Sequence, residues 1–185
     1  MEQGTLVFFL SDNGGPTDNR SSNHPLRATK RTVYEGGIHV PFVMRWPAKL
    51  SAGSTFDAPV ISMDVFSTAL AAAGVEAPRD RKIDGANLLP FLEGKVKGQP
   101  HEHLFWRMFG GIHLAARDSR YKLVRREGKP DELYDLDQDL SETNNVVASQ
   151  PLVHKSLTTA LESWNRELVK PLWLDHIQDR DRLMK

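Results

Sequence analysis

The sequence predicts an α/β fold that passes into a small α+β unit, and three observations carry that prediction. Apolar runs of strand length stand at residues 5–10 and 41–46 and are followed by turn-forming residues. Val65, Phe66, Ala69, Leu70 and Ala73 then recur at helical spacing. Beyond residue 100 the pattern becomes short strands joined by tight turns, ending in one long amphipathic helix. The implied division is 1–97 for the α/β part and 98–185 for the α+β part, with a linker over 94–100.

Thr5-Leu6-Val7-Phe8-Phe9-Leu10 shows no polar alternation, so it reads as a strand buried on both faces with neighbours on both sides. Residues 11–28 are rich in Ser, Asp, Asn, Gly and Pro and form a loop at the strand's carboxyl end, the edge where open α/β sheets bind ligands. Pro47 stops the second strand. Ser62 is the expected helix cap and Gly74 the stop, and the helix between them is expected to pack on the sheet. Leu88, Leu89 and Leu92 make a short amphipathic turn. Residues 104–109, 112–116 and 121–125 are read as antiparallel hairpin strands turning at Gly110-Gly111 and at Asp118-Ser119-Arg120, with 133–136 as an edge strand. Pro151 opens a helix that carries Val153, Leu157, Ala160, Leu161, Trp164 and Leu168 on one face.

A chain of 185 residues can bury a real core, and its 24 basic residues balance 24 acidic ones. That balance leaves no positive field to gather phosphates, which argues against a nucleic-acid partner. No apolar run approaches the roughly 20 residues of a membrane span. The absence of cysteine excludes disulfides, thiolate metal sites and cysteine nucleophiles, and leaves the compartment open.

Asp12 and Asn13 follow the apolar strand directly and precede Gly14-Gly15. A carboxylate and an amide carbonyl are hard donors that suit Ca²⁺ or Mg²⁺; the same tripeptide also makes an ordinary Asx turn. Lys30 would place an ammonium where an anion bound to such a cation could meet it, or would be a solvated surface lysine. Glu35 offers a carboxylate to orient the cation, or is a polar turn, and Gly36-Gly37 permits close backbone approach. His101 and His103 stand at strand spacing and read as structural or solvated. Phe105, Trp106, Phe109 and Trp164 read as core rather than as a sugar platform.

Together these segments resemble one family, the sulfatases of the alkaline-phosphatase superfamily, of the arylsulfatase and N-acetylgalactosamine-6-sulfatase kind. The resemblance rests on Ser11-Asp12-Asn13-Gly14-Gly15, Asn23-His24-Pro25-Leu26-Arg27-Ala28-Thr29-Lys30 and Tyr34-Glu35-Gly36-Gly37-Ile38-His39-Val40-Pro41-Phe42, ending in Arg45-Trp46-Pro47. Arg120-Tyr121-Lys122-Leu123-Val124 and Glu132-Leu133-Tyr134-Asp135-Leu136 look like the family's carboxy-terminal half. Members usually have glycine where Thr29 stands and arginine where His39 stands.

The resemblance implies the carboxy-terminal portion of an alkaline-phosphatase-like mixed sheet with helices, followed by a small antiparallel sheet packed on a C-terminal helix. It implies Asp12 and Asn13 as two ligands of Ca²⁺, with Mg²⁺ as the alternative, and Lys30 as the residue contacting a sulfate oxygen. His24, in the loop, and His113, in the hairpin folded toward the active-site mouth, are candidate substrate contacts. The substrate would be a sulfate ester of a sugar or aryl alcohol, in a periplasmic, secreted or lysosomal-type compartment. Sulfatases use a formylglycine made within a Cys/Ser-x-Pro/Ala-x-Arg motif, and no serine here has that pattern, so the nucleophile is expected in an N-terminal part outside this chain. The chain alone is then expected to be inactive and to self-associate through exposed sheet edges. The alternatives are a non-catalytic binding module or a phosphoesterase of the same superfamily.

Overall fold

The computed structural model describes residues 2–170. In chain order its elements are β1 (Val7–Leu10), the single-turn helix α1 (Glu35–Ile38), β2 (Phe42–Arg45), α2 (Asp64–Ala72), α3 (Leu89–Leu92), β3 (Leu104–Met108), β4 (His113–Arg117), β5 (Tyr121–Arg126), β6 (Glu132–Asp135) and α4 (Pro151–Glu167). They pack as two compact units, one made of the chain up to Asp12 with Val40–Glu102, the other of Asn13–His39 with the chain from His103 onward. The units are discontinuous, unlike the expected segments 1–97 and 98–185, because residues 13–39 pack with the C-terminal sheet.

In the first unit β1 and β2 form an antiparallel pair with Phe9 opposite Val43 and Leu10 opposite Phe42. Phe8 and Phe42 meet edge to face at 6.5 Å on the covered side. The expectation that β1 is buried on both faces is corrected: Phe9 is 67% and Val43 55% exposed. Among the described residues β1 has one strand neighbour and one covered face, so an apolar run without alternation still shows alternating burial.

Helix α2 departs from expectation at its start. Ser62 does not cap it; the N-cap position is Met63, with no side-chain cap. Instead Asp64, fully buried, accepts hydrogen bonds from Ile61 N (2.8 Å) and Ala86 N (2.7 Å). Thr68 Oγ1, also buried, accepts from Leu88 N at 3.0 Å. The inward side of α2 is thus partly polar and satisfies the backbone of 86–88, while Phe66 of the expected apolar face is 50% exposed. The main neighbour of α2 is α3, not the sheet. Its end follows expectation: Gly74 takes φ +68°, and bonds from Gly74 N to Ala71 O and from Val75 N to Leu70 O close the last turn.

The second unit holds a four-stranded antiparallel sheet in the order β3-β4-β5-β6, the hairpins expected from the sequence, with β6 at an edge. The chain reverses between β3 and β4 through Phe109, Gly110 and Gly111, all at positive φ, which the two glycines adopt without steric penalty. Both faces of this sheet are covered. Leu114, Ala116, Leu123 and Leu133 face Leu157 and Leu161 of α4, with Phe105 stacked on Trp164 at 5.0 Å. Ala115, Val124 and Tyr134 face Val33 and Tyr34, which precede α1. The period of two along β4 and β5 therefore sorts residues between a helix-covered face and a loop-covered face.

Leu161 is fully buried and Leu152 on the same helix is 82% exposed. Leu161→Ala is expected to cost about 2–5 kcal/mol of stability, and Leu152→Ala less than about 0.5 kcal/mol, as read from urea midpoints.

Candidate functional site

The loop 13–39 wraps around α1, and two glycines make the wrapping possible. Gly14 N donates to Gly37 O (2.9 Å) and Gly36 N donates to Arg27 O (2.7 Å). A Cβ at Gly14 would sit 1.8 Å from Gly36 O, and one at Gly36 would sit 2.3 Å from the carbonyls of Arg27 and Ala28. Any side chain there would push apart the two segments that carry Asn13 and Lys30.

Beneath this loop lies a buried charge cluster. Lys122, on the loop-covered face of β5, is fully buried; its Nζ donates to Glu35 Oε1 at 2.7 Å and lies 2.9 Å from Glu142 Oε1. Glu142 Oε2 accepts from Glu35 N at 2.7 Å. His39 Nδ1 stands 2.8 Å from Glu35 Oε2, and Arg117 Nη1 3.6 Å from the same oxygen. Burial alone would push the Glu35 carboxyl up, but the His39 hydrogen bond and the Lys122 and Arg117 charges outweigh it and hold it at about 2. Burial dominates at Glu142 and pushes its carboxyl up, so of two carboxylates sharing one ammonium Glu35 keeps the charge more firmly. Glu35 is therefore neither a surface turn nor free to orient a cation. It is the anchor of α1.

A second cluster holds the loop from the side. The Arg27 guanidinium lies over the Tyr34 ring at 4.1 Å and donates to Tyr134 Oη (2.6 Å) and Glu142 O (2.8 Å). Tyr34 and Tyr134 both donate to Glu132 Oε2, which Arg27 also approaches, while Arg126 pairs with Glu132 Oε1. Burial and the bond to Glu132 push the Tyr34 phenol up to about 12, and the same causes raise Tyr134. Burial opposes ionisation of Glu132, and the bonds from Tyr134, Tyr34 and Arg126 override it and hold its carboxyl below the usual range.

The sequence-predicted site residues are placed as follows. Asp12 is exposed and ends the first unit's opening segment; Asn13, half-buried, begins the second unit. Lys30 is exposed, and its backbone N donates to Gly15 O at 3.3 Å, which brings the Lys30 backbone beside the segment that starts at Asn13. His24 is exposed and follows Asn23, whose side chain also bonds Gly15. His113, half-buried at the start of β4, packs edge-on to Phe109 at 5.2 Å; burial first and the Arg126 charge second hold its pKa below the ordinary value. Among the described residues no three His, Cys, Asp or Glu side chains converge on one point to hold a metal. The donor chemistry of Asp12 and Asn13 fits a hard cation, as two ligands out of the about six to eight oxygens calcium takes. His101, read as structural, bonds the buried Asp64 at 2.8 Å.

Thr29 is not among the residues at positive φ; the left-handed residues are its neighbour Ala28 and Arg31. His39 occupies a place beside the Glu35 carboxylate and keeps a donor there. Sequence reasoning missed Lys122, Glu142, Arg27 and Asn23. For Lys122 a signal existed, a charge on the same strand face as Val124 inside an apolar run; Glu142, in a polar stretch, carried none.

Lys122→Met, which leaves two carboxylates facing each other in the interior, is expected to cost about 3–5 kcal/mol. The depressed Glu35 carboxyl contributes stability that is present above its ordinary 4.5 and is lost as pH falls toward about 2. Glu142 has the opposite sign, its contribution being lost as pH rises. Urea midpoints followed from pH 5 to pH 2.5 should fall more steeply for the wild-type chain than for Glu35→Gln.

Residues 27–168 match the family model for the N-sulphoglucosamine sulphohydrolase C-terminal region. A sulfatase of Escherichia coli K12, YdeN, is 32% identical over 185 residues, covering 97% of this chain and 32% of that protein. Steryl-sulfatase of Homo sapiens is 40% identical over 113 residues, 57% of this chain and 19% of its own length. The crystal structure of Ps i-CgsB in complex with k-i-k-neocarrahexaose superposes with a TM-score of 0.87 at 28% identity, covering 98% of this chain and 41% of that one. The chain thus spans about a third or less of the curated relatives' length. With a family model matched across most of its residues and a fold shared with these relatives, the chain belongs to the sulfatase family and corresponds to its C-terminal part.

Proposed function

We propose that this chain forms one wall of the active site of a sulfuric ester hydrolase, and that Lys30 is its catalytic contribution. The observation that supports this most is the pinned loop: residues 13–39 are held by buried charge, yet Lys30 and His24 stay exposed at its surface. A fixed ammonium stabilises negative charge that develops on sulfate oxygens as the ester bond breaks, and it does so best when nothing must reorganise. Asp12 and Asn13 would supply two oxygen ligands to calcium, or to magnesium. That cation, when bound, contributes Lewis-acid stabilisation of the same charge. His24 and His113 would contact the organic part of the substrate.

We favour a sulfated carbohydrate over an aryl or steryl sulfate. Support comes from the neocarrahexaose-bound relative, which matches nearly the whole chain, whereas the steryl-sulfatase match spans little more than half of it. The nucleophile, a formylglycine, would come from a part of the protein not contained here, so the chain alone would be inactive. The open face of β1 and β2, with Val7, Phe9 and Val43 exposed, would then promote self-association of the isolated chain.

The deciding experiment measures the intact mass of the protein from its native locus together with turnover of 4-nitrocatechol sulfate in calcium. A mass well above 20.8 kDa with calcium-dependent turnover is expected, and Lys30→Ala should then reduce kcat by about 100-fold or more. A 20.8 kDa product without turnover would leave the fold and remove the activity. Sedimentation velocity of the isolated chain should show association; a dispersed monomer would count against the open-face reading.

A further inference from the structure

We infer that Asn23 is a positioning residue that couples the Asn13 segment to the Lys30 loop. This rests on the reading of Lys30 as the sulfate-contacting residue. Asn23 Oδ1 accepts from Gly15 N at 2.7 Å, and its Nδ2 donates to Gly15 O at 2.8 Å and to Ala28 O at 3.2 Å. The carboxamide thus pairs with both the N–H and the C=O of one residue, as a neighbouring strand would, and its Nδ2 also reaches the other segment. Gly15 is two residues from Asn13 and Ala28 two residues from Lys30.

Three further observations make this side chain the tie between the segments. Lys30 N donates to the same Gly15 O at 3.3 Å, so one carbonyl receives both Asn23 and the lysine backbone. Gly15 has no room for a side chain, because a Cβ there would lie 2.4 Å from Ser21 Cβ. Ala28 at φ +65° and Arg31 at φ +70° flank the lysine in a left-handed conformation that is costly for non-glycine residues. Asn23 holds Ala28 through its carbonyl, and Asn23 O closes its own turn by accepting from Leu26 N at 2.7 Å. Only a carboxamide offers a donor and an acceptor in this geometry. Aspartate keeps the bond from Gly15 N but sets a carboxylate against the carbonyls of Gly15 and Ala28.

The test compares Asn23→Ala, Asn23→Asp and Lys30→Ala. In the chain itself, amide hydrogen exchange of Asn23→Ala should speed at Gly15 and Lys30 by at least tenfold, with the β5 amides unchanged. In the protein from its native locus, Asn23→Ala should lower kcat and raise the calcium concentration for half-maximal turnover of 4-nitrocatechol sulfate. Lys30→Ala should lower kcat without moving the calcium midpoint. Because Asn23 acts through the lysine, adding Asn23→Ala to Lys30→Ala should cost little further kcat while still raising the calcium midpoint. Unchanged exchange at Gly15 and Lys30, or full activity of Asn23→Asp, would overturn the inference. Loss of exchange protection together with an unaffected Lys30→Ala enzyme would retain the coupling and overturn the assignment of the lysine. If the native protein does not turn over, the exchange result alone decides.

Discussion

Lys122 is fully buried between two carboxylates, and the arrangement of the second unit follows from that constraint. An ammonium in the interior is costly unless it is paired and hydrogen-bonded. Its partners come from distant places, Glu35 at the start of α1 and Glu142 after β6, so satisfying one charge forces three segments together. The energetics are asymmetric. Forming such a cluster does not by itself raise stability above an apolar replacement, whereas removing one member leaves an uncompensated charge. Its structural effect is to tie the start of α1 to β5 and to the segment after β6.

That tie is what gives the loop its shape. With α1 fixed, Gly36-Gly37 provides the surface against which the Asn13–Gly15 backbone and the Arg27–Thr32 backbone both lie. Arg27, stacked on Tyr34 and bonded to Tyr134 and Glu142 O, fixes one end of the lysine-bearing segment, and Asn23 fixes its neighbour. The signature residues divide into two kinds. Most of them build and hold the loop from below, and a few, Lys30 and His24 among them, remain at its surface. A motif recognised for its chemistry is in large part a motif for rigidity, since a charge stabilises a reaction best when it is already in place.

The fold was more legible than the site. The hairpins of β3 to β5, the edge position of β6 and the apolar face of α4, except for Leu168, which is exposed beyond the helix end, could be read from periodicity, because each depends on which side of a local element faces a core. The burial of β1 could not. Its uniform apolarity indicated two covered faces, and the described residues cover one of them. The start of α2 misled for a related reason: Ser62 has the right local chemistry for a cap, but the fully buried Asp64 takes over the neighbouring backbone because it also serves Ala86 and His101. In the site, the neighbourhood of the Lys30 backbone and the segment that starts at Asn13 follows the polar, glycine-containing loop visible in the sequence, while the role of Glu35 was not readable there.

By itself, then, the sequence determined whatever is decided within a few residues. The Gly74 helix stop, the glycine turn between β3 and β4 and the polar loop after β1 are set by local backbone preferences that no distant contact reverses. Tertiary structure alone decided which carboxylates meet the buried lysine and which chain segments belong together. Glu35 meets Lys122 across 87 residues and Glu142 across 107. Such pairings depend on which surfaces exclude water when the chain closes, and that is a property of the packed units rather than of any window of sequence.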